Sequence, residues 1–303
     1  MIQLTINRKN DYAFKRIFGH EDTKDILARF LTVVLEIPIE PDELDLIQTE
    51  FSPEYIMDKA SRLDIYVRHS ASHKKMIIEM QVGDEGNIEC RTMYYWSKGY
   101  SEELKEKQDY ASLPRMINIV IMDFDVFKWN DDSKFHGVFR VLEHNEGVLF
   151  SDVLEIHTLE LPKLNRQPPK AEWSPLECWG LYLNNVEGEV MERIAEQEPM
   201  VRRAMTIEDI FMKNEEERHL YEIRENNRRD YYNAISTYEK RGIQKGLQEG
   251  MQKGMKKGMQ KGMLKGMQKG KQEVAQLMLQ KNMPIKFIQE VTGLSEAEIR
   301  TIR

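Results

Sequence analysis

The sequence predicts an α/β protein: a mixed sheet flanked by helices, followed by a helical C-terminal part. Three observations carry that prediction. Apolar residues recur at three- and four-residue spacing near the start, alternate with period two from residue 63, and return to helical spacing after Pro175. The run MINIVIMDF (116–124) is apolar and β-branched, as in central strands. Of 303 residues, 41% are hydrophobic and 31% charged, which is enough apolar material for a real core. At roughly 150 residues per domain, the length suggests one large domain or two smaller ones.

The elements follow in order. In NDYAFKRIFGHEDTKDILARFLTVVLEI, Phe14, Ile17 and Phe18, then Ile26, Leu27, Phe30 and Leu31, predict two amphipathic helices broken near Gly19. Pro38 and Pro41 end the helical pattern. In RLDIYVR, Leu63, Ile65 and Val67 alternate with Asp64, Tyr66 and Arg68, so one face of a strand is buried. Polar SASH (70–73) turns the chain into KKMIIEMQV, where Met76, Ile78, Met80 and Val82 share one face and Ile77, Glu79 and Gln81 the other. The two strands are close enough to form a hairpin. The segment NIECRTMYYWSKGYSEELKEKQDY has helical spacing, and FHGVFRVLE and DVLEIHTLEL predict two further strands. The proline-rich stretch NRQPPKAEWSP is the best linker, and helices follow to about Arg241. The expected organisation is a core at 1–170, a helical extension at 171–241, a repeat at 242–272 and a small helical tail at 273–303.

The formal net charge of -7 conceals two different objects. From residue 242 onward there are 12 Lys and Arg against 5 Asp and Glu, a net of +7, and residues 1–241 carry −14. All the positive surplus lies in 242–272, where Gly recurs every fourth residue from Gly242 to Gly270. An apolar residue follows each of the first seven glycines, from Ile243 to Met267. Eight interior glycines cost a helix about 0.8–1 kcal/mol each relative to Ala, so a flexible basic tether and a helix whose small residues allow close approach are both open. In the tail, Ser295 with Glu298 predicts a capping box, stapled by Leu294 and Ile299.

Several classes are excluded. Two cysteines, Cys90 and Cys178, build neither a disulfide framework nor a four-ligand zinc site. The start, MIQLTINRKNDYAF, has no long apolar run and predicts no signal peptide, and no stretch approaches 18 apolar residues. A soluble, cytoplasmic protein is expected. The seven histidines show no paired spacing, and neither a P-loop nor GxGxxG appears.

Asp64 on the first strand, with Glu79 and Gln81 on the second, is the most informative group. All three fall on the face opposite the apolar stripes. Two carboxylates facing one another across a hairpin repel unless a cation sits between them. Hard oxygen ligands of this kind suit Mg²⁺ or Mn²⁺, which can activate a water at a phosphodiester. The alternative is a solvated acidic face. Tyr94, Tyr95, Trp96 and Tyr100 either stack on bases or pack on the sheet.

Across most of residues 7–170, the motifs NDYAFKRIF, RLDIYVR, MIIEMQV, RTMYYWSKGY and LP–INIVIMDF resemble, in order and spacing, the PD-(D/E)XK nuclease family transposases, also called the Rpn family of recombination-promoting nucleases. The GMQKG repeat and TGLSEAEI tail are similar to C-terminal ends in that family. The resemblance implies a restriction-endonuclease-like core and metal-dependent DNA cleavage. It makes Asp64 the first motif aspartate, Glu79 the acidic residue of (D/E)XK, and Gln81 the occupant of the lysine position. Gln can orient a water only through hydrogen bonds, so deprotonation falls to the metal-bound water itself or to a lysine arriving from elsewhere. Lys98 is one candidate for that lysine, and Arg91 could hold a phosphate. Asp11 resembles the extra acidic ligand of some members, or is a helix N-terminal charge favoured by the dipole. Lys15 is read as a solvated or phosphate-facing residue. Lys253, Lys257 and Lys261 of the repeat are read as DNA contacts. The implied partners are DNA and, through the helical end, a second copy of the chain; the implied roles are recombination or phage defence. The competing expectation is a catalytically degenerate nuclease fold that serves as an interaction module, because of Gln81 and the acidic core.

Overall fold

The computed structural model describes residues 6–47, 64–104, 109–168 and 170–302. Among them, six strands form one sheet in the order β1-β2-β3-β4-β6-β5. These are β1 (Leu44–Ile47), β2 (Ile65–His69), β3 (Lys74–Gln81), β4 (Arg115–Met122), β5 (His136–Leu142) and β6 (Leu149–Glu160). β2 and β3 are the expected antiparallel hairpin, turned through His73 at φ 51. β4 runs parallel to both β3 and β6, and β5 returns antiparallel at the edge. The apolar run of β4 is therefore central, buried along nearly its whole length. β1 is not announced by the sequence, because four residues after Pro41 carry too little periodicity. Leu63, read as part of the apolar stripe, lies outside the described residues.

Period two assigns the faces. On one face Ile65, Val67, Met76, Ile78, Ile117, Ile119 and Ile121 meet α1 (Asp11–Phe18) and α2 (Lys24–Leu35). The same cluster takes in α4 (Pro175–Leu183), α5 (Gly188–Gln197) and α6 (Pro199–Lys213), and it extends to Tyr221. Trp179 and Tyr182 are fully buried there, and Trp179 sits 5.6 Å from Phe18 and 5.7 Å from Phe30 between ring centres. Helices that the sequence sets apart as an extension thus pack on α1 and α2 and share one core with the sheet. Aromatic side chains of that size contribute much of the area such a core buries.

The opposite face is covered by α3 (Ile88–Ser101), which connects β3 to β4. Tyr66, Ile77, Tyr95 and Met116 pack together there. Gly99 faces this cluster: a Cβ on it would stand 2.9 Å from Met116 Cε, the mobile end of that side chain. α3 stops at Ser101, short of the helical spacing that continues toward Tyr110, and residues 110–112 form a 3-10 turn.

Packing divides the chain into two units, Met1–Arg228 and Arg229–Arg303. A single helix, α7 (Glu215–Gln280), crosses the dividing point and contains the whole repeat, so the repeat is helical here. The eight glycines from 242 to 270 face open space, and Met251, Met255, Met259 and Met263 are exposed. Within the second unit, α8 (Ile285–Thr292) and α9 (Glu296–Thr301) close a small core of Ala275, Ile288, Leu294 and Ile299. The Ser295–Glu298 capping box is formed, and both staple residues are buried. Among the described residues no helix is long and apolar enough to cross a membrane.

Candidate active site

The β2–β3 register places the acidic residues. Ile65 pairs with Ile78, so the next step sets Asp64 opposite Glu79, on the α3 face. Backbone amides fix both: Met80 N donates to Asp64 Oδ2 at 2.8 Å, and Asp64 N to Glu79 Oε1 at 3.4 Å. Gln81, two residues on and on the same face, donates its Nε2 to Glu79 Oε2 at 3.1 Å. Asp64, Glu79 and Gln81 are thus brought together as the alternation requires. The face is not a solvated one, because Glu79 is 5% exposed beneath α3.

Two cations come in from helices. Arg91, on the first turns of α3, points its Nη2 at Glu79 Oε2 from 4.0 Å and lies over the Tyr95 ring. The second is Lys15. α1 begins at Asp11 because the Asn10 side chain accepts from Tyr12 N and Ala13 N. One turn later, Lys15 Nζ stands 2.8 Å from Asp11 Oδ1 and 3.5 Å from Asp64 Oδ1. The family resemblance, which makes Asp11 an extra acidic ligand, is the hint that α1 meets Asp64. The i,i+4 spacing of Asp11 and Lys15 fixes their mutual pairing but does not point Lys15 at Asp64.

Burial governs the electrostatics. It pushes the Asp64 carboxyl up to about 6, against the opposing pull of Lys15 and the Met80 amide. Glu79 is pushed up to about 8, first by burial and then by the Asp64 charge. Asp11 is also lifted by burial, but the Lys15 ammonium, then a hydrogen bond with Asp64 and last the Arg224 charge outweigh that and hold it below the ordinary range. Lys15, although partly desolvated, is held above its ordinary range by Asp64 and Asp11. The group is short of positive charge where it is most buried.

The donor set fits a hard divalent cation. Two adjacent carboxylates suit an ion that takes one or two acidic ligands and keeps several waters. Among the described residues, no group of three or more His, Cys, Asp or Glu side chains is arranged to hold a metal ion, so a closed protein cage is not the geometry here. Behind Glu79 lies a cavity of about 10 Å³, near the room needed by one water, bordered by Gln81, Arg91, Thr92 and Asn118. Arg91 Nε and Asn118 Oδ1 are buried beside it without a protein partner.

Lys98 lies with its Nζ 5.8 Å from the centre of the Tyr94 ring. Tyr95 is core, Trp96 stacks on Tyr100 at 5.0 Å, and Tyr94 is 43% exposed, so packing claims most of the aromatic cluster. Lys253, Lys257 and Lys261 lie on α7 within the second unit, and Lys253 is 3.9 Å from Glu249. Both cysteines are free. Two histidines distant in sequence, His136 and His157, meet at 3.0 Å across β5 and β6, and His157 continues to Glu155 at 2.9 Å.

No curated protein and no solved structure matches the chain. The model of the PD-(D/E)XK nuclease family transposases matches residues 8–238, which take in the hairpin carboxylates, α3 and the helices that cover the sheet. A six-stranded mixed sheet flanked by helices agrees with a restriction-endonuclease-like fold. With most of its length so matched, the chain belongs to the PD-(D/E)XK nuclease family transposases.

Proposed function

We propose that the protein is a metal-dependent endonuclease that hydrolyses DNA phosphodiesters, with Asp64 and Glu79 as the ligands of Mg²⁺ or Mn²⁺. One observation carries the reading: Asp64 and Glu79 lie side by side on the β2–β3 hairpin, each fixed by a backbone amide, with Glu79 buried beneath α3. Such an ion, when bound, supplies Lewis acidity and makes a water more acidic at neutral pH. The chain's own residues do the rest. Gln81 orients the attacking water by hydrogen bonding. Lys15, in place of the lysine missing at 81, takes up or stabilises charge beside Asp64. Arg91 faces an incoming phosphate from the α3 side. Asp11 joins the ligands only by releasing Lys15. The exposed lysines of the repeat, Lys253, Lys257 and Lys261, serve the DNA backbone in a salt-sensitive way, whereas Lys98 is buried on α3 beside Tyr94 and does not reach it. Recombination-type DNA mobility and defence against phage, in the cytoplasm and with self-association through the helical end, are the roles this activity would serve.

The test is nicking of supercoiled plasmid with Mg²⁺ or Mn²⁺, run beside Asp64→Ala and Glu79→Ala. Cleavage by the wild type and its loss in both variants support the reading. Equal cutting by all three proteins would remove the assignment. One observation favours a second reading, a degenerate fold used for interaction: Lys15 already pairs with Asp64, so an ammonium can stand where an ion is needed. A wild type that neither cuts nor binds Mn²⁺ would select it.

A further inference from the structure

We infer that the first turns of α7 are a working part of the acidic centre, with Arg224 and Glu225 as positioning residues that hold Lys15 at Asp64. The catalytic consequence rests on the nuclease reading above; the positional one does not.

Asn10 is fully buried, and its Oδ1 takes the Tyr12 N–H at 2.9 Å. Its Nδ2 donates to Glu225 Oε2 at 3.1 Å. An amide caps a helix only with its oxygen toward the helix, and an acceptor on the nitrogen side selects that orientation. The preceding chain is pinned as well: Asn7 N donates to Tyr221 OH at 2.9 Å, and Asn7 Nδ2 to Glu225 Oε2 at 3.3 Å. A third tie runs from Arg16 Nε to Glu217 at 2.8 Å. Three residues of α7, Glu217, Tyr221 and Glu225, spaced four apart, thus fix where α1 begins and how it is rotated. The position of Lys15, one turn inside that helix, follows from both.

Arg224 adds a charge to the geometry. It approaches Asp11 Oδ2 at 3.9 Å, the oxygen that Lys15 does not use. Lys15 is a single cation between two anions, nearer to Asp11 (2.8 Å) than to Asp64 (3.5 Å). With Arg224 in place, Asp11 is partly satisfied from the other side. Without it, the whole Asp11 charge draws Lys15 away from Asp64.

Full-length Arg224→Gln, Arg224→Lys, Glu225→Ala and Glu225→Gln decide the matter by two readouts. The first needs no activity: a crystal structure, or the side-chain ammonium NMR signal of Lys15. In Arg224→Gln and Glu225→Ala the Lys15–Asp64 contact should open past the ~4 Å of an ion pair, and Arg224→Lys and Glu225→Gln should restore it. The second is plasmid nicking, where kcat should fall about ten- to hundredfold with KM for DNA unchanged. Lys15 unmoved and kcat unchanged in Arg224→Gln would overturn the inference, as would a rise in KM alone, which would make Arg224 a DNA contact. If Glu225→Ala does not fold, Arg224→Gln, a change at a half-exposed side chain, still decides. A wild type that never nicks removes the nuclease reading and leaves the Lys15 readout standing.

Discussion

Lys15 Nζ lies 3.5 Å from Asp64 Oδ1, a pairing between a residue of α1 and one at the start of a strand. It supplies a cation on the side of the hairpin where Gln81 supplies none. Lys15→Met should lower the plasmid nicking rate by about 10²–10⁴, the usual worth of a positioned acid–base or charge-stabilising group, and Lys15→Arg should recover part of it. Circular dichroism should show the fold intact. Cleavage by Lys15→Met within threefold of wild type would remove Lys15 from the mechanism.

The raised carboxyls make a stability prediction with a definite sign. Unfolded Asp and Glu lose their protons near pH ~4, whereas Asp64 and Glu79 keep theirs to about 6 and about 8. Between those limits the native state binds more protons than the unfolded chain, so stability falls as pH rises. Thermal melts without metal should drop between pH 5 and pH 8 by at least about 2 °C more than those of Glu79→Gln, the shift that goes with about 1 kcal/mol in a unit of this size. Added Mn²⁺ at pH 8 should restore the wild type and leave Glu79→Gln nearly unmoved. A wild-type slope no steeper than that of the variant would contradict the assigned protonation.

A buried pair elsewhere tests the fold itself. Glu160 is fully buried, accepting from Val126 N, Phe127 N and Trp129 Nε1, and it meets Lys163 Nζ at 2.7 Å. Glu160→Ala leaves the buried Lys163 ammonium without its carboxylate, held only by the Phe127 carbonyl, at a cost of about 3–5 kcal/mol in urea unfolding. Adding Lys163→Met should recover more than about 1 kcal/mol of that loss. A double variant less stable than the single one would show that Lys163 has another, stronger role.

The glycines of the repeat make a prediction in the opposite direction. Nothing stands within 4 Å of a Cβ placed on any of the eight. Each Gly→Ala change should therefore stabilise the helix by about 0.8–1 kcal/mol, seen as a higher melting point at 222 nm for the second unit. Destabilisation would mean that another backbone closes against the glycine stripe in solution.

Much of this fold is legible in the sequence, and the reasons differ by element. Period two assigned Asp64, Glu79 and Gln81 to one face correctly, because strand register repeats a local pattern. Gly19 and the Ser295–Glu298 box marked helix ends through cap chemistry that depends on three or four neighbouring residues. What local pattern cannot carry is which elements meet. Neither Lys15 at Asp64 nor Glu225 at Asn10 has a spacing signature. The break in composition near Pro168 suggested a boundary where Trp179 and Phe30 in fact share one core. The helical state of the repeat stayed open for a different reason, since eight glycines set propensity against periodicity.

The hydrogen bond between Asn10 and Glu225 joins residues 215 positions apart. A ribosome adding about 5–20 residues per second needs roughly 10–45 s to travel that far. During that interval the hairpin carboxylates already exist on a nascent chain whose first helix has no clamp. The Lys15–Asp64 pairing is therefore clamped only late in synthesis, after all six described strands and the first six α-helices have been made, and a truncated translation product would carry the motif without that clamp.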